Sequence, residues 1–158
     1  MMTNRKHFIP HETYQTILEN MPVCTVDVLF FNSDKTKTLL FKRNNEPLKG
    51  EYFSMGGRLK KDETFEECAI RQTKLETGLD IDPGKVIFVG VQRENYPNSA
   101  FGETSYCAID LYFGYIINDE NTDLVLDSQH DESRWFFVDD SSLHPYLKSK
   151  IEQTLKLI

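Results

Sequence analysis

The sequence predicts a layered domain of the α/β or α+β class, on three observations. Short segments rich in β-branched and aromatic residues recur between turn signals, from Pro22–Phe31 to Ser133–Val138. A helix with both ends marked lies among them, over Phe65 to Thr77. A second amphipathic pattern closes the chain from Pro145 to Leu157. Strands surrounding one central helix, with a terminal helix, are the pattern of a sheet covered by helices. At 158 residues, 39% hydrophobic and 12% aromatic, the chain suits one domain, 1–158, with its own core. No repeat, low-complexity run or linker divides it.

Each element has its own grounds. Pro10 to Met21 reads as a helix, because Tyr14, Ile17, Leu18 and Met21 fall at i, i+3, i+4 and i+7 and Pro10 suits a first turn. Pro22–Phe31 and Thr38–Arg43 read as strands joined by the turn residues Asn32-Ser33-Asp34-Lys35. Asn44 to Gly50 is a loop, after which Tyr52 and Phe53 lead into Gly56-Gly57. Thr64-Phe65-Glu66-Glu67 has the form of a capping box, and Gly78 stands where a left-handed cap ends a helix. Phe65, Cys68, Ala69 and Leu75 supply that helix with an apolar stripe. Asp82-Pro83-Gly84 is a turn, Val86–Arg93 a strand, Tyr96–Glu103 a polar flexible loop and Ser105–Ile117 a long strand. After a turn at Asn118–Asn121 and the strand at Ser133–Val138, the closing helix carries Leu147, Ile151, Leu155 and Ile158 on one stripe.

Composition narrows the partners. A net charge of −7 argues against a long nucleic acid, whose phosphates need a basic surface. A small anionic ligand needs only a few local cations. No apolar run is long enough to span a bilayer, and Met1 to Lys6 lacks the apolar core of a signal peptide. Cys24, Cys68 and Cys107 are scattered and odd in number, without a CxxC pair. They read as reduced core thiols of a cytoplasmic protein rather than zinc ligands.

Chemistry concentrates around the central helix. Glu67 and Arg71 are four apart, a spacing that favours a surface pair of roughly 0.3–0.5 kcal/mol. Gln72 and Glu76 are also four apart and share a face. A carboxylate near the end of that face, opposite a glycine-rich turn, suits a hard cation such as Mg²⁺. That ion takes one or two protein carboxylates and completes its shell with phosphate oxygens and water. Without the flanking pattern, such a helix would read as an ordinary capped helix with a solvated charged face.

The pattern is Gly57, Glu63, Arg71, Glu76 and Gly78, and its spacing resembles the Nudix box. The box usually reads Arg-Glu-aliphatic-x-Glu-Glu, whereas this chain reads Arg71-Gln72-Thr73-Lys74-Leu75-Glu76, so two of three metal-binding glutamates are replaced. Together with Lys42-Arg43-Asn44-Asn45, Lys49 to Phe53 and Asp127-Ser128-Gln129-His130-Asp131-Glu132-Ser133-Arg134-Trp135, the altered box is similar to the GDP-mannose mannosyl hydrolase branch of that family. The resemblance implies an α/β/α Nudix sandwich with a mixed β-sheet. It implies water attack at the anomeric carbon of a nucleotide sugar, releasing intact GDP with inversion, where most of the family attack phosphorus.

Carried over residue by residue, the resemblance implies that the Gly56 carbonyl, Glu76 and Gln129 hold Mg²⁺, with Mn²⁺ as a substitute. His130 would be the general base, a task its ordinary pKa of ~6.5 suits. Arg43 and Arg58 would clamp the diphosphate, and Asp27 would serve the sugar or Arg58. Glu63 and Arg71 would brace the loop and helix. The branch further implies a homodimer. His7, His11 and His144 lack a motif and read as solvent-exposed, and Trp135 reads as core. Met55 replaces the family's usual proline, Ser133 replaces the branch's tyrosine, and the Glu94–Ser99 segment lacks its histidine. Two other functions stay open: a diphosphatase attacking phosphorus, disfavoured by Gln72 and Leu75, and a non-catalytic domain that binds nucleotide sugars or a protein partner.

Overall fold

Alternation along the first strand, β1 (Val23–Phe31), sorts the molecule into layers, because that strand is buried on both faces. The structure is a computed structural model and describes residues 8–126 and 130–158, with His130 and Asp131 described by their backbone alone. Val26, Val28 and Phe30 point to one side of the sheet. There they join Leu39 and Phe41 of β2 (Lys37–Arg43), Leu111 and Phe113 of β6 (Tyr106–Ile116), and Cys68 and Ala69 of helix α2 (Phe65–Thr77). Leu29 and Phe31 point to the other side, where they meet Leu40, Tyr112, and Leu147 and Ile151 of helix α3 (Pro145–Leu155). Each face of the sheet is therefore covered by one helix, giving the expected α/β/α sandwich. Asp27 and Thr25 continue the series that faces α3.

The sheet has seven strands and is mixed. β1 runs parallel to β6 over its whole length, and β6 pairs antiparallel with β5 (Ile87–Tyr96). The opposite edge of β1 is shared. Its end, Phe30 and Phe31, pairs with β2, while Thr25 to Val28 pair with β4 (Met55–Arg58). β2 also carries the short β3 (Tyr52–Phe53) and β7 (His130–Phe137). A bulge between Phe41 and Arg43 sets Arg43 opposite His130.

Helix α1 (His11–Asn20) lies against Val23 and Ala108 through Leu18, with Tyr14 and Ile17 partly buried beside it. Met21, expected on that stripe, is 59% exposed, because the helix ends at Asn20 and the chain turns extended at Met21. α2 matches its expected bounds. Thr64 accepts from Glu67 N–H, Glu67 reaches back to Thr64 N–H, and Gly78 closes the helix with φ 76°. Its inward face differs from expectation. Cys68, Ala69, Gln72, Thr73, Glu76 and Thr77 are buried, while Phe65 and Leu75 are exposed, because the helix packs on the glycine turn of β4 where only small or polar groups fit.

Two other segments are more ordered than expected. β5 runs on to Tyr96, and the chain then folds back as Ser99 and Gly102 exchange both backbone hydrogen bonds at 3.0 Å. β7 begins at His130, three residues before the expected Ser133. Trp135 packs partly buried against the α2-side core and donates Nε1–H to the Glu120 carbonyl at 3.1 Å. No helix among the described residues is long and apolar enough to cross a membrane.

The capping box supplies a test. Thr64→Ala removes the side-chain acceptor for Glu67 N–H and lowers stability by about 1 kcal/mol. A urea titration reads this as a lower midpoint at unchanged slope; an unchanged midpoint would remove the cap from the account.

Candidate active site

A cavity of about 740 Å³ opens beside β1 and β4, bounded by α1, the loop after β2 and the Ser99–Gly102 turn. Asp27, Arg43, Gly56 and Arg58, singled out in the sequence, all line it. Gln72 also lines it; Glu76 does not, and lies one helical turn beyond Gln72. The His130 backbone pairs with Arg43 at the bulge. Gln129, with Asp127 and Ser128, and the His130 side chain lie outside the described residues, as does His7.

The glycine turn is built by close approach. A Cβ on Gly56 would lie 1.9 Å from Asp27 Oδ1, and one on Gly57 would lie 1.6 Å from Gln72 Nε2. Neither position admits another residue without movement of a buried neighbour. Beneath the turn runs a chain of charge-assisted hydrogen bonds. Lys60 N–H donates to Glu63 Oε1 at 2.8 Å, and the Arg71 guanidinium grips both Glu63 oxygens at 2.6 and 2.8 Å. Arg71 also donates to the Arg58 carbonyl at 3.2 Å and to Gln72 Oε1 at 2.6 Å. Because the Gln72 oxygen is taken, its amide N–H faces Glu76 Oε1, 3.4 Å away. The bracing role expected of Glu63 and Arg71 is thus visible in their geometry. The Glu67–Arg71 surface pair is not the arrangement: Arg71 turns inward to Glu63, and Glu67 closes the cap.

Burial raises the Glu63 carboxyl, but Arg71 and the Lys60 N–H outweigh it and hold it at about 2. Burial, aided by the Glu63 charge, pushes the Cys68 thiol up to about 12, which makes it inert packing rather than a nucleophile.

The donor set fits one hard cation with few protein ligands. Glu76 is 2% exposed and shares the inward face of α2 with Gln72, which packs against Gly57 of the turn; its carboxylate and the Gly56 carbonyl are oxygen ligands of the kind such an ion takes. The described residues contain no group of three or more His, Cys, Asp or Glu able to hold a metal. A cation here would depend on phosphate oxygens and water for most of its shell.

Arg43 is held by the loop that follows it. Its Nε donates to the Pro47 carbonyl at 2.7 Å, and its backbone bonds to Glu51 and Gly50 at 2.9 and 2.7 Å. Arg58 reaches over the Tyr14 ring, 6.0 Å from its centroid. Phe101 stacks against His11 and Tyr14, with ring centroids 4.4 and 5.9 Å apart, so the far end of the cavity is aromatic. His11 is exposed, as expected. His144 is not: it caps α3 by accepting from Tyr146 N–H at 3.1 Å and lies half-buried among Phe53, Tyr96 and Tyr146.

Sequence reasoning missed Lys150. It is 0% exposed and projects from α3 onto three strands. Its ammonium meets Asp27 of β1 and Asp110 of β6 at 3.1 Å each, Glu94 of β5 at 2.9 Å, and Ser54 Oγ at 3.3 Å. Burial alone would lower the Lys150 pKa, but the three carboxylates hold it well above the ordinary lysine value. Burial and the nearby Asp27 charge push Asp110 well up, against the pull of Lys150 and Thr25. A lysine within a helix reads as solvated. The available signal was position: residues 147, 150, 151 and 154 share one helix face, and Asp27 and Asp110 interrupt apolar strands on the side that faces it.

Residues 21–157 match the family described as NUDIX domain. The low-salt glycan biosynthesis protein Agl8 of Haloferax volcanii is 29% identical over 91% of this chain and 89% of its own length. The MutT protein of Methanosarcina mazei Go1 superposes with a TM-score of 0.69 at 22% identity, over 87% of this chain and 96% of that one. The NUDIX domain of Shewanella oneidensis NrtR, solved in complex with ADP ribose, gives 0.67 at 19% identity over 98% of both chains. At these identities the two solved structures speak to the fold.

The Glu63–Arg71 fork supplies a test. Its folded pKa, about 2, lies below the ordinary value of ~4.3, so its stabilisation is present above pH ~4.3 and is lost as pH falls toward 2. Glu63→Gln removes that contribution. Urea midpoints followed from pH 5 to pH 2 should fall less steeply in the variant; parallel curves would contradict the depressed carboxyl.

Proposed function

Because the chain belongs to the NUDIX domain family, we propose that it hydrolyses a nucleotide sugar, GDP-mannose or GDP-glucose, to GDP and free sugar. Water attacks the anomeric carbon in a reaction that uses Mg²⁺, or Mn²⁺ in its place. The observation that carries this reading is the makeup of the inward face of α2. Glu76 is the one acid among its buried residues, Gln72 stands at a second ligand position of the box, and Leu75, at the third, is 61% exposed. A site with one box carboxylate is poorly equipped to organise several cations around a phosphorus under attack. It suffices for one cation on a departing diphosphate.

The cavity has the character such a ligand needs. At about 740 Å³ it falls in the range of small-molecule sites, and its lining combines Arg43 and Arg58, suited to a diphosphate, with Asp27 and aromatic rings. The glycan-biosynthesis description of the Haloferax relative is in keeping with sugar chemistry.

In the mechanism we infer, Arg43 and Arg58 bind the diphosphate and absorb the charge that develops as the glycosidic bond breaks. Mg²⁺, held by the Gly56 carbonyl, Glu76 and Gln129, would supply further neutralisation of the leaving group. His130, on the strand paired with Arg43, takes a proton from water as that water adds to the anomeric carbon. Displacement from the face opposite the diphosphate inverts the configuration. GDP leaves as an anion whose charge Arg43 and Arg58 balance, so no general acid is required, unlike the two-carboxylate scheme of many glycosidases. Asp27 binds the sugar. On the same reading the enzyme works as a cytoplasmic homodimer.

Turnover of GDP-mannose with Mg²⁺ in ¹⁸O-labelled water tests the bond that breaks. Label is expected in the free sugar with unlabelled GDP; label in GMP or sugar phosphate would return the protein to the diphosphatase reading, and binding without turnover would make it a binding domain. His130→Gln should lower turnover about 10²–10⁴-fold with the melting temperature retained. A variant that keeps the wild-type rate would take His130 out of the mechanism.

A further inference from the structure

We propose that Lys150 is a positioning residue for sugar recognition. Through Asp110 and Glu94 it is locked in place, and it holds Asp27 so that a single carboxylate oxygen is offered to a hydroxyl of the ligand. The inference rests on the nucleotide-sugar reading and assigns to α3 a role in the same site.

Lys150, Asp27, Glu94 and Asp110 bring six carboxylate oxygens around one ammonium, and five of the six are engaged inside the protein. Asp110 Oδ1 accepts from Thr25 at 2.8 Å and Oδ2 from Lys150 at 3.1 Å. Glu94 Oε1 accepts from the Tyr96 hydroxyl at 2.9 Å, and Oε2 from Gln92 and Lys150, each at 2.9 Å. Asp27 Oδ2 accepts from Ser54 at 2.6 Å and from Lys150 at 3.1 Å. The sixth, Asp27 Oδ1, accepts no hydrogen bond from the described residues. It sits against Gly56, 1.9 Å from the point a Cβ there would occupy, in a residue that lines the cavity.

The ammonium itself has no freedom left. Its three N–H groups are spent on three carboxylates, with Ser54 Oγ also at 3.3 Å, and the Phe53 ring lies 4.9 Å away. Such a cluster is a poor way to hold α3 on the sheet, since apolar residues of similar volume usually serve stability as well or better. It does fix direction. Two donors on Oδ2 set the carboxylate plane, and Oδ1 then points where none of the described residues supplies a donor. An anionic acceptor there receives a hydroxyl and repels a phosphate, which sorts the sugar half of the ligand from the diphosphate half.

The test is calorimetric titration of the full chain with Mg²⁺-GDP-mannose and Mg²⁺-GDP, in a His130→Gln background that keeps the probe intact. The starting protein should bind GDP-mannose more tightly than GDP. Asp27→Asn and Lys150→Met should each weaken GDP-mannose binding about 10-fold or more, with no loss of GDP affinity. The double variant should be no weaker than either single one. Should Lys150→Met fail to fold, Lys150→Met/Asp110→Asn removes a carboxylate along with the ammonium and carries the same expectation. A Lys150 variant that keeps the full preference would overturn the proposal. So would parallel loss of both ligands, which marks a structural role, or additive losses in the Asp27/Lys150 double variant. A starting protein without preference for GDP-mannose would overturn the nucleotide-sugar reading and the proposal with it, a result distinct from the other arms.

Discussion

Close contact between α2 and the turn at Gly56 and Gly57 is the constraint on which the site depends. Two missing side chains let a helix and a strand approach until the Gln72 amide occupies the volume of one absent Cβ and the Asp27 carboxylate that of the other. The turn thereby joins both layers of the sandwich. Gln72 and Glu76 come from the helix on one side of the sheet, and Asp27 faces the helix on the other. Arg71 and Glu63 then fix the geometry from below, since a bidentate pair at 2.6–2.8 Å leaves the guanidinium only one way to meet Gln72. A glycine turn alone is an anonymous feature. Pressed between an amide and a carboxylate, it becomes a fixed stretch of backbone among polar groups of known direction.

The layers follow from strand alternation more than from helix propensity. β1 supplies both cores, Val26, Val28 and Phe30 to one and Leu29 and Phe31 to the other, and its parallel partner β6 does the same with Leu111, Phe113 and Tyr112. A slip of one residue would bury the wrong set on each side, so the register is strongly specified. The same alternation carries Asp27 and Asp110 inward on the α3 side, which is why that side needed a cation and found it at Lys150.

Much of this was legible in the residues. The bounds of α2 could be read because local chemistry marks both ends, with Thr64 and Glu67 at one and Gly78 at the other. Asp27, Arg43, Gly56 and Arg58 were singled out from motifs, and the fold gathers them around one cavity. What stayed illegible depended on long-range contact. Lys150 meets residues 40 and 123 positions away, and its place on the inward face of α3 does not by itself name those partners. Phe65 and Leu75 looked like core because apolar residues usually are, yet the helix packs on a glycine turn that favours small and polar groups. His144 looked exposed because its aromatic neighbours Phe53 and Tyr96 are distant in sequence. The turn Tyr96–Glu103 looked flexible from its polarity, while Ser99 and Gly102 close it by backbone bonds that composition cannot show.

The orientation of Gln72 bears on how this chain could change. Its oxygen is taken by Arg71 and its nitrogen points at Glu76, so it is a neutral spacer between a cation and an anion. Exchange for glutamate would keep the Arg71 donor but replace the amide N–H that faces Glu76 with a second negative charge, and like charges repel in a buried place. Leu75, largely solvent-exposed, has no such barrier and could become acidic with little effect on the core. Any lineage moving from one box carboxylate to three would therefore meet an uneven path. The outer position is free to change first, and the inner one leans on the Arg71 guanidinium, or on a bound cation, to offset the added charge.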